Sequence, residues 1–318
     1  MSAGKASCRH AFSAALLEAA RKDPSIYVVC SDSKGSTALG DFETALPRQY
    51  VEAGIAEQDA VGIAAGLARC GKTAFVCGPA SFYSARSLEQ VKVDVAYAAS
   101  DVKVIGISGG VSYGYLGSTH HSLHDLAVMR TFPGLEVFLP CDAASTAAIT
   151  AYMAGSGKPA YMRLGRGPVP EVYAPALKAE FVPGRANLLR EGRNCAIVAA
   201  GEAVQPALAA AALLAARGIQ ARVLDYWSIK PFDAAAIEAA AEETGGIVTV
   251  EEHSAHGGLG AAVAEATVQS RPVPMRIIGF PDEWAPAGSS EELFAYYGLT
   301  AERIAAAAEE LAARVKGR

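Results

Sequence analysis

Short runs of aliphatic and β-branched residues recur along this chain, each followed by a longer segment with helical spacing. In the first half the runs are Ile26–Ser31, Thr73–Gly78, Val102–Ser108, Leu135–Pro140 and Ala160–Leu164. The helical segments among them are Ala11–Arg21, Glu57–Cys70, Arg86–Ala99, Leu123–Thr131 and Ala143–Ala154. The strand-like runs are apolar at successive positions rather than at every second one. Such strands are covered on both faces, as in a parallel sheet clothed by helices. A second alternating unit follows. Its strands are expected at Cys195–Ala200, Ala221–Tyr226, Ile247–Glu251 and Met275–Gly279. Its helices are expected at Val204–Arg217, Asp233–Glu243, Leu259–Gln269 and Thr300–Arg314, with Thr300 as the last N-cap. Between the units, Gly167–Arg185 carries Pro168, Pro170, Pro175 and Pro183 and has little periodicity, so it reads as a linker. The expectation is two doubly wound α/β domains with mostly parallel sheets: residues 1–170, a linker at 171–187, and residues 188–318.

Composition narrows the class. The 318 residues are 51% hydrophobic and 19% charged, with a net charge of −5, enough apolar material for two cores. A mildly acidic chain without a basic patch argues against nucleic-acid or membrane-surface binding. Cys8, Cys30, Cys70, Cys77, Cys141 and Cys195 are dispersed with no CxxC pair, which fits reduced thiols in the cytoplasm. The N-terminal MSAGKASCRHAF lacks the apolar core of a signal peptide, and the uncharged run Pro206–Ala216 is too short to span a bilayer.

Several stretches carry polar chemistry. In Gly54–Gly66, GIAEQDAVGIAAG, apolar residues recur at helical spacing from Glu57 onward. Acidic residues in a first turn complement the helix dipole. Glu57, however, lies between small residues that let backbone or a flat ligand approach, and a carboxylate there wants a hydrogen-bonding partner. Ser31-Asp32-Ser33-Lys34-Gly35-Ser36-Thr37 is a polar turn at a strand end, where ligands of open α/β sheets gather. Pro79–Arg86 places Phe82 and Tyr83 ahead of a helix. Gly114–Asp125 holds His120, His121 and His124; Ser122 with Asp125 resembles a capping box, so a helix is expected after Ser122. With no cysteine or further histidine nearby, zinc is not expected there. Arg9 precedes the first helix, and Arg163 and Arg166 close the last strand of the first domain. Glu251–Gly260 joins a strand to a helix but is not GxGxxG, and no dinucleotide fingerprint occurs.

GIAEQ with its small-residue helix resembles the pyrimidine-domain motif of transketolase-type thiamine diphosphate enzymes, and the resemblance extends over nearly the whole chain. It implies that Glu57 bonds N1′ of the cofactor's aminopyrimidine and favours the tautomer that activates it. It places Asp32 near the cofactor and Ser36 near the substrate, with Ser33 and Lys34 less clearly matched. It puts Phe82 or Tyr83 against the aminopyrimidine and aligns Glu89-Gln90 with an acidic-Gln pair. His120 matches the substrate-facing histidine, and a neutral imidazole suits that role near pH 7. Arg9 and Arg166 match two arginines for a terminal phosphate, where a guanidinium is well suited. Arg163, His253 and His256 read as structural. Leu116 stands where the family often has a sugar-binding aspartate.

The family's Gly-Asp-Gly motif for Mg²⁺ and diphosphate does not occur; Gly40-Asp41-Phe42 lacks the second glycine. The resemblance therefore implies the C-terminal subunit of a split transketolase. A separate N-terminal subunit would carry the Mg²⁺ site, while this chain would dimerise within a heterotetramer. The activity implied is transfer of a ketol unit from a ketose phosphate to an aldose. The alternatives are the β subunit of a 2-oxo acid dehydrogenase E1 and a non-catalytic partner subunit.

Overall fold

The computed structural model describes residues 5–173 and 179–316. Pro175 of the expected linker lies outside them. Among the described residues, fourteen strands are arranged in two large sheets and a small ribbon. They are β1 (Lys5–Ser7), β2 (Ile26–Cys30), β3 (Tyr50–Glu52), β4 (Thr73–Pro79), β5 (Val102–Ile107), β6 (Glu136–Phe138) and β7 (Ala160–Leu164) in the first part of the chain. They continue as β8 (Pro168–Pro170), β9 (Asn187–Arg190), β10 (Cys195–Ala199), β11 (Ala221–Asp225), β12 (Ser228–Lys230), β13 (Ile247–Ser254) and β14 (Met275–Phe280).

The larger sheet runs β12-β6-β7-β5-β4-β2-β3 and is parallel except for β12. Every residue of β4, β5 and β7 is buried, as the continuous apolar runs require. Helices cover both faces. Glu57–Arg69 sets Ala60, Val61 and Ala64 on one face, beside Val29, Val76 and Val104. Cys8–Lys22 and Ala143–Gly155 set Phe12, Leu16, Ile149 and Met153 on the other, beside Val28, Phe75 and Ile105. The smaller sheet, β14-β13-β10-β11-β9, is parallel except for β9. It packs on Val204–Ala216 and Ala301–Lys316. Thr300 Oγ1 accepts from the Arg303 amide at 3.4 Å, as the expected N-cap would.

Several elements differ from expectation. The helix expected at Arg86–Ala99 is replaced by short turns and a π-helical segment, Val91–Tyr97, in which the Ala98 and Ser100 amides bond five residues back. Three β-branched valines at alternate positions, Val91, Val93 and Val95, crowd a regular α-helix here. Ser122 does not cap a helix. Its backbone pairs with Gly110, and the helix begins at Asp125, with His124 at the N-cap. Ser228–Lys230, from the second half of the chain, adds an antiparallel edge to the first sheet. Within the expected linker Tyr173 is buried, and its hydroxyl donates to Asp225 at 2.6 Å.

The ribbon formed by β1 and β8 matters most for the site. Antiparallel pairing of Ser7 with Pro168 ties the start of the chain to the end of the first sheet. Arg9 and Arg166 flank this pairing. No helix among the described residues is long and apolar enough to cross a membrane.

Candidate functional site

The loops that follow β2, β4, β5 and β7 all leave the carboxyl ends of parallel strands, where open α/β sheets bind ligands. Glu57 opens the helix after β3 and is only 2% exposed. Its Oε2 accepts from Arg86 Nη1 at 2.7 Å, and its Oε1 has no hydrogen bond among the described residues. The Arg86 side chain is 49% exposed, so solvent screens this pair.

A line of flat groups runs from there. The Arg86 guanidinium lies 4.6 Å from the Phe82 ring centre. Phe82 meets the His120 imidazole edge-on at 5.3 Å, and Tyr113 meets the same imidazole at 5.4 Å. Arg166 lies 5.2 Å from the Tyr113 ring centre. Arg166 Nη1 reaches Ser36 Oγ at 3.5 Å, while Arg9 Nη1 donates to the Ser36 and Gly35 carbonyl oxygens at 3.1 and 3.3 Å. Burial, and then the like charge of Arg166, lower the Arg9 guanidinium from its ordinary pKa. Two cations facing one another beside a hydroxyl form a receptor for an anion.

The structure thus brings together Glu57, Phe82, His120, Ser36, Arg9 and Arg166. It separates Phe82 from Tyr83. Phe82 faces the line, whereas Tyr83 is fully buried in the core, its hydroxyl 3.0 Å from Ser31 Oγ and 3.4 Å from the Cys77 carbonyl oxygen. Tyr83 therefore supports the strand ends from beneath, and a cofactor contact through its ring does not fit that placement. Asp32 is exposed and held at φ 48°, a costly conformation for a non-glycine residue. Its amide donates to Glu52 Oε1 at 2.7 Å, and the same oxygen accepts from the Gly54 amide at 3.0 Å. Glu52 thereby couples the Asp32 turn to the loop before Glu57. Lys34 pairs with Glu43 at 2.6 Å on the surface, away from the line.

The three histidines of the glycine-rich loop take different roles. His120 is half-buried, with Nδ1 3.0 Å from Thr119 Oγ1. His121 is buried and donates from Nε2 to the Gly114 carbonyl at 3.0 Å; burial lowers its pKa. His124 Nε2 meets Ser84 Oγ at 3.1 Å, and Ser84 in turn donates to the Ala80 carbonyl. The Ser84 oxygen is then the acceptor, which places the His124 proton on Nε2. His253 is a core residue. It donates from Nδ1 to the Ser254 carbonyl and accepts the Ala127 amide at Nε2, and burial holds its pKa down to about 4. His256 is exposed, and Leu116 is 53% exposed at the loop tip.

Sequence reasoning did not single out Arg86, Tyr113 or Glu52. Arg86 follows Phe82 by four residues, one helical turn, and that spacing was the available signal. Tyr113 left only the weak signal of an aromatic beside a glycine-rich loop.

The fold defines a two-domain α/β protein whose candidate site lies at the carboxyl ends of a mostly parallel sheet. Comparison with known proteins gives the family. Residues 4–171 match the transketolase pyrimidine binding domain, and residues 184–304 match the transketolase C-terminal domain. The chain belongs to the transketolase family and corresponds to the C-terminal subunit of a split transketolase. It is 57% identical, over 95% of its length and 96% of the relative's, to an apulose-4-phosphate transketolase subunit of Phocaeicola vulgatus. It is 39% identical to a 6-deoxy-6-sulfo-D-fructose transketolase subunit of a Clostridium species, over 94% of this chain and 92% of that one. A solved split gene transketolase, an inactive tetramer of β chains, superposes with a TM-score of 0.88 at 39% identity, covering 98% of this chain and 99% of that one.

Proposed function

We propose that this chain is the catalytic C-terminal subunit of a thiamine diphosphate-dependent transketolase and acts on a phosphorylated ketose. The observation that carries the reading is the buried Glu57 carboxylate, with one oxygen unpartnered among the described residues, beside the half-buried ring of Phe82. A flat cationic group, the Arg86 guanidinium, already lies on that ring and that carboxylate. An aminopyrimidine, also flat and rich in hydrogen-bond donors, suits the same pair of contacts. When bound, the cofactor supplies the carbanion that carries the ketol unit.

The chain's own residues do the rest. Glu57 holds a proton at the ring nitrogen. His120 moves protons at the substrate hydroxyls, flanked by Phe82 and Tyr113, which limit water around the imidazole. Arg9, Arg166 and Ser36 bind the phosphate at the far end of the line, setting the length of sugar that fits between phosphate and reacting carbon. Two guanidiniums favour a sugar phosphate over an unphosphorylated 2-oxo acid. The relative at 57% identity is named for apulose 4-phosphate, and we take that sugar phosphate as the donor. Mg²⁺ and the diphosphate would be held by an N-terminal partner subunit in a heterotetramer in the cytoplasm. In this chain Asp41 lies in the first turn of the helix Gly40–Ala45 and Phe42 is buried in the core.

The test is reconstitution. The chain is co-purified with its partner, the partner is identified by mass spectrometry, and ketol transfer from apulose 4-phosphate to an aldose phosphate is followed with and without thiamine diphosphate. Cofactor-dependent transfer supports the reading. Activity on 2-oxo acids with a lipoyl acceptor, or none in the presence of the partner, would refute it.

A further inference from the structure

The second domain meets the loop that carries His120 at several points, with Tyr115 and Ser118 bonding Glu292 and Ala285, and one of its contacts is a buried carboxylate. Glu252 lies on β13, in the smaller sheet, and is 4% exposed. Its Oε1 accepts from the Val111 amide at 2.8 Å. Its Oε2 accepts from Arg163 Nη2 at 3.1 Å, and its main-chain oxygen accepts from the same nitrogen at 2.6 Å. Arg163 belongs to β7 and is 2% exposed. Its Nη1 lies 3.4 Å from Asp125 Oδ1, and Tyr161 donates to Asp125 Oδ2 at 2.7 Å.

These bonds hold both ends of one loop. Val111 is at the start of the segment that carries Tyr113 and His120, and Asp125 is just past its end. Gly110 and Ser122 close the loop by exchanging two backbone bonds, at 3.1 and 2.7 Å. Arg163 also lies three residues before Arg166 on the same strand end. The packing leaves no room for slack. A Cβ on Gly110 would meet the Glu252 carboxyl carbon at 2.2 Å, and a Cβ on Gly109 would meet Arg163 Nε at 2.2 Å. Ser108, at the root of the loop, is held at φ 57°. Such a conformation persists only where surrounding contacts over-determine it.

We propose that Glu252 is a positioning residue: from the second domain it fixes the loop carrying His120 against the strand that leads to Arg166. A buried ion pair is weak evidence for stability, since apolar residues of similar volume often serve as well. What an apolar pair cannot do is bond the Val111 amide and a guanidinium at once, and that double bond sets the register between loop and strand. The kinetic consequence rests on the function proposed above; the structural one does not.

The test uses Glu252→Gln, which keeps shape but turns its amide N–H₂ toward one of the two donors, the Val111 amide or Arg163, and Glu252→Asp, which keeps charge but is too short to reach both partners. Glu309→Gln is the control. Glu309 is a carboxylate of the same domain, half-exposed on the final helix and paired with Arg217 at 2.7 Å, so it gives no bond to the loop. In the chain alone, the His120 ring signals in proton–carbon spectra should shift or broaden in both Glu252 variants and stay in place in the control. The exposed His10 is the internal reference in all three. In the reconstituted enzyme kcat should fall at least tenfold in both Glu252 variants, beyond any loss of folded protein, and should stay unchanged in the control. An unmoved His120 signal overturns the proposal. So does a kcat that tracks the folded fraction, or loss of the fold in both variants, either of which makes Glu252 a residue of stability alone. A moved His120 signal in a complex with no ketol transfer, even with the wild-type chain, supports positioning and counts against the proposed function.

Discussion

At the scale of single residues, the site rests on neighbours with divided duties. Glu57 is buried yet keeps an oxygen unpartnered, which a carboxylate serving only a helix dipole would not need. Glu57→Gln keeps the shape but cannot hold a proton for the ring nitrogen. Exchange of the cofactor's C2 proton in the assembled complex should slow about a hundredfold or more. Thermal stability should change by no more than about 1 kcal/mol, because Arg86 is half in solvent. Unchanged exchange with a lowered melting point would remove Glu57 from the chemistry. The adjacent aromatics make a second contrast. Phe82→Ala should weaken cofactor binding about fivefold by calorimetry, the equivalent of about 1 kcal/mol of ring contact, and leave folding nearly intact. Tyr83→Phe should do the reverse, costing about 1 kcal/mol in urea unfolding through the lost bond to Ser31 and sparing affinity.

At the scale of elements, β11 ends in a buried acid. Asp225 has no exposure; Tyr173 donates to it at 2.6 Å and Cys141 at 3.5 Å. Burial pushes its carboxyl from 3.8 up to about 7. Between those values the folded chain holds a proton that the unfolded chain has released. The stability it contributes is complete below the unfolded value and is lost as pH rises to about 7, by up to about 1.4 kcal/mol per pH unit. Asp225→Asn still accepts from Tyr173 and does not titrate. Its stability relative to the wild type should therefore increase from acid to neutral pH, as read by urea unfolding at several pH values. His253, which burial lowers to about 4, and Glu251, which burial raises to about 7, titrate in both chains, so their effects cancel in the difference. Parallel pH profiles would show that Asp225 does not carry the extra proton.

At the scale of the whole molecule, one chain brings the Glu57 carboxylate and Phe82 into line with Arg9 and Arg166. Among the described residues no cluster of three or more His, Cys, Asp or Glu side chains is arranged to hold a metal ion. The chain alone is expected to bind thiamine diphosphate weakly, with Mg²⁺ adding little, and to bind it tightly once the partner is present. Titration calorimetry on both preparations checks this. Tight, Mg²⁺-dependent binding by the isolated chain would overturn the division of labour.

The sequence by itself determined the two mostly parallel sheets, because continuous apolar runs such as Thr73–Gly78 are stable between two helical layers. It also marked Glu57 as a carboxylate set among small residues, which is local information. Proximity across the chain was not local. Arg9 and Arg166 meet because the β1–β8 ribbon pairs Ser7 with Pro168, and three-residue strands leave almost no periodic signal. Ser122 read as a helix cap because a short motif records what a hydroxyl can do; the Gly110 pairing, a contact from outside the motif, decided what it does. Phe82 and Tyr83 are equal in sequence, and only the packing chose which ring meets the core and which meets the cleft. Glu252 shows the same limit most plainly. Nothing local marks a strand glutamate as the anchor of a loop in another domain, since its partners, Val111 and Arg163, become neighbours only when the two sheets close on each other.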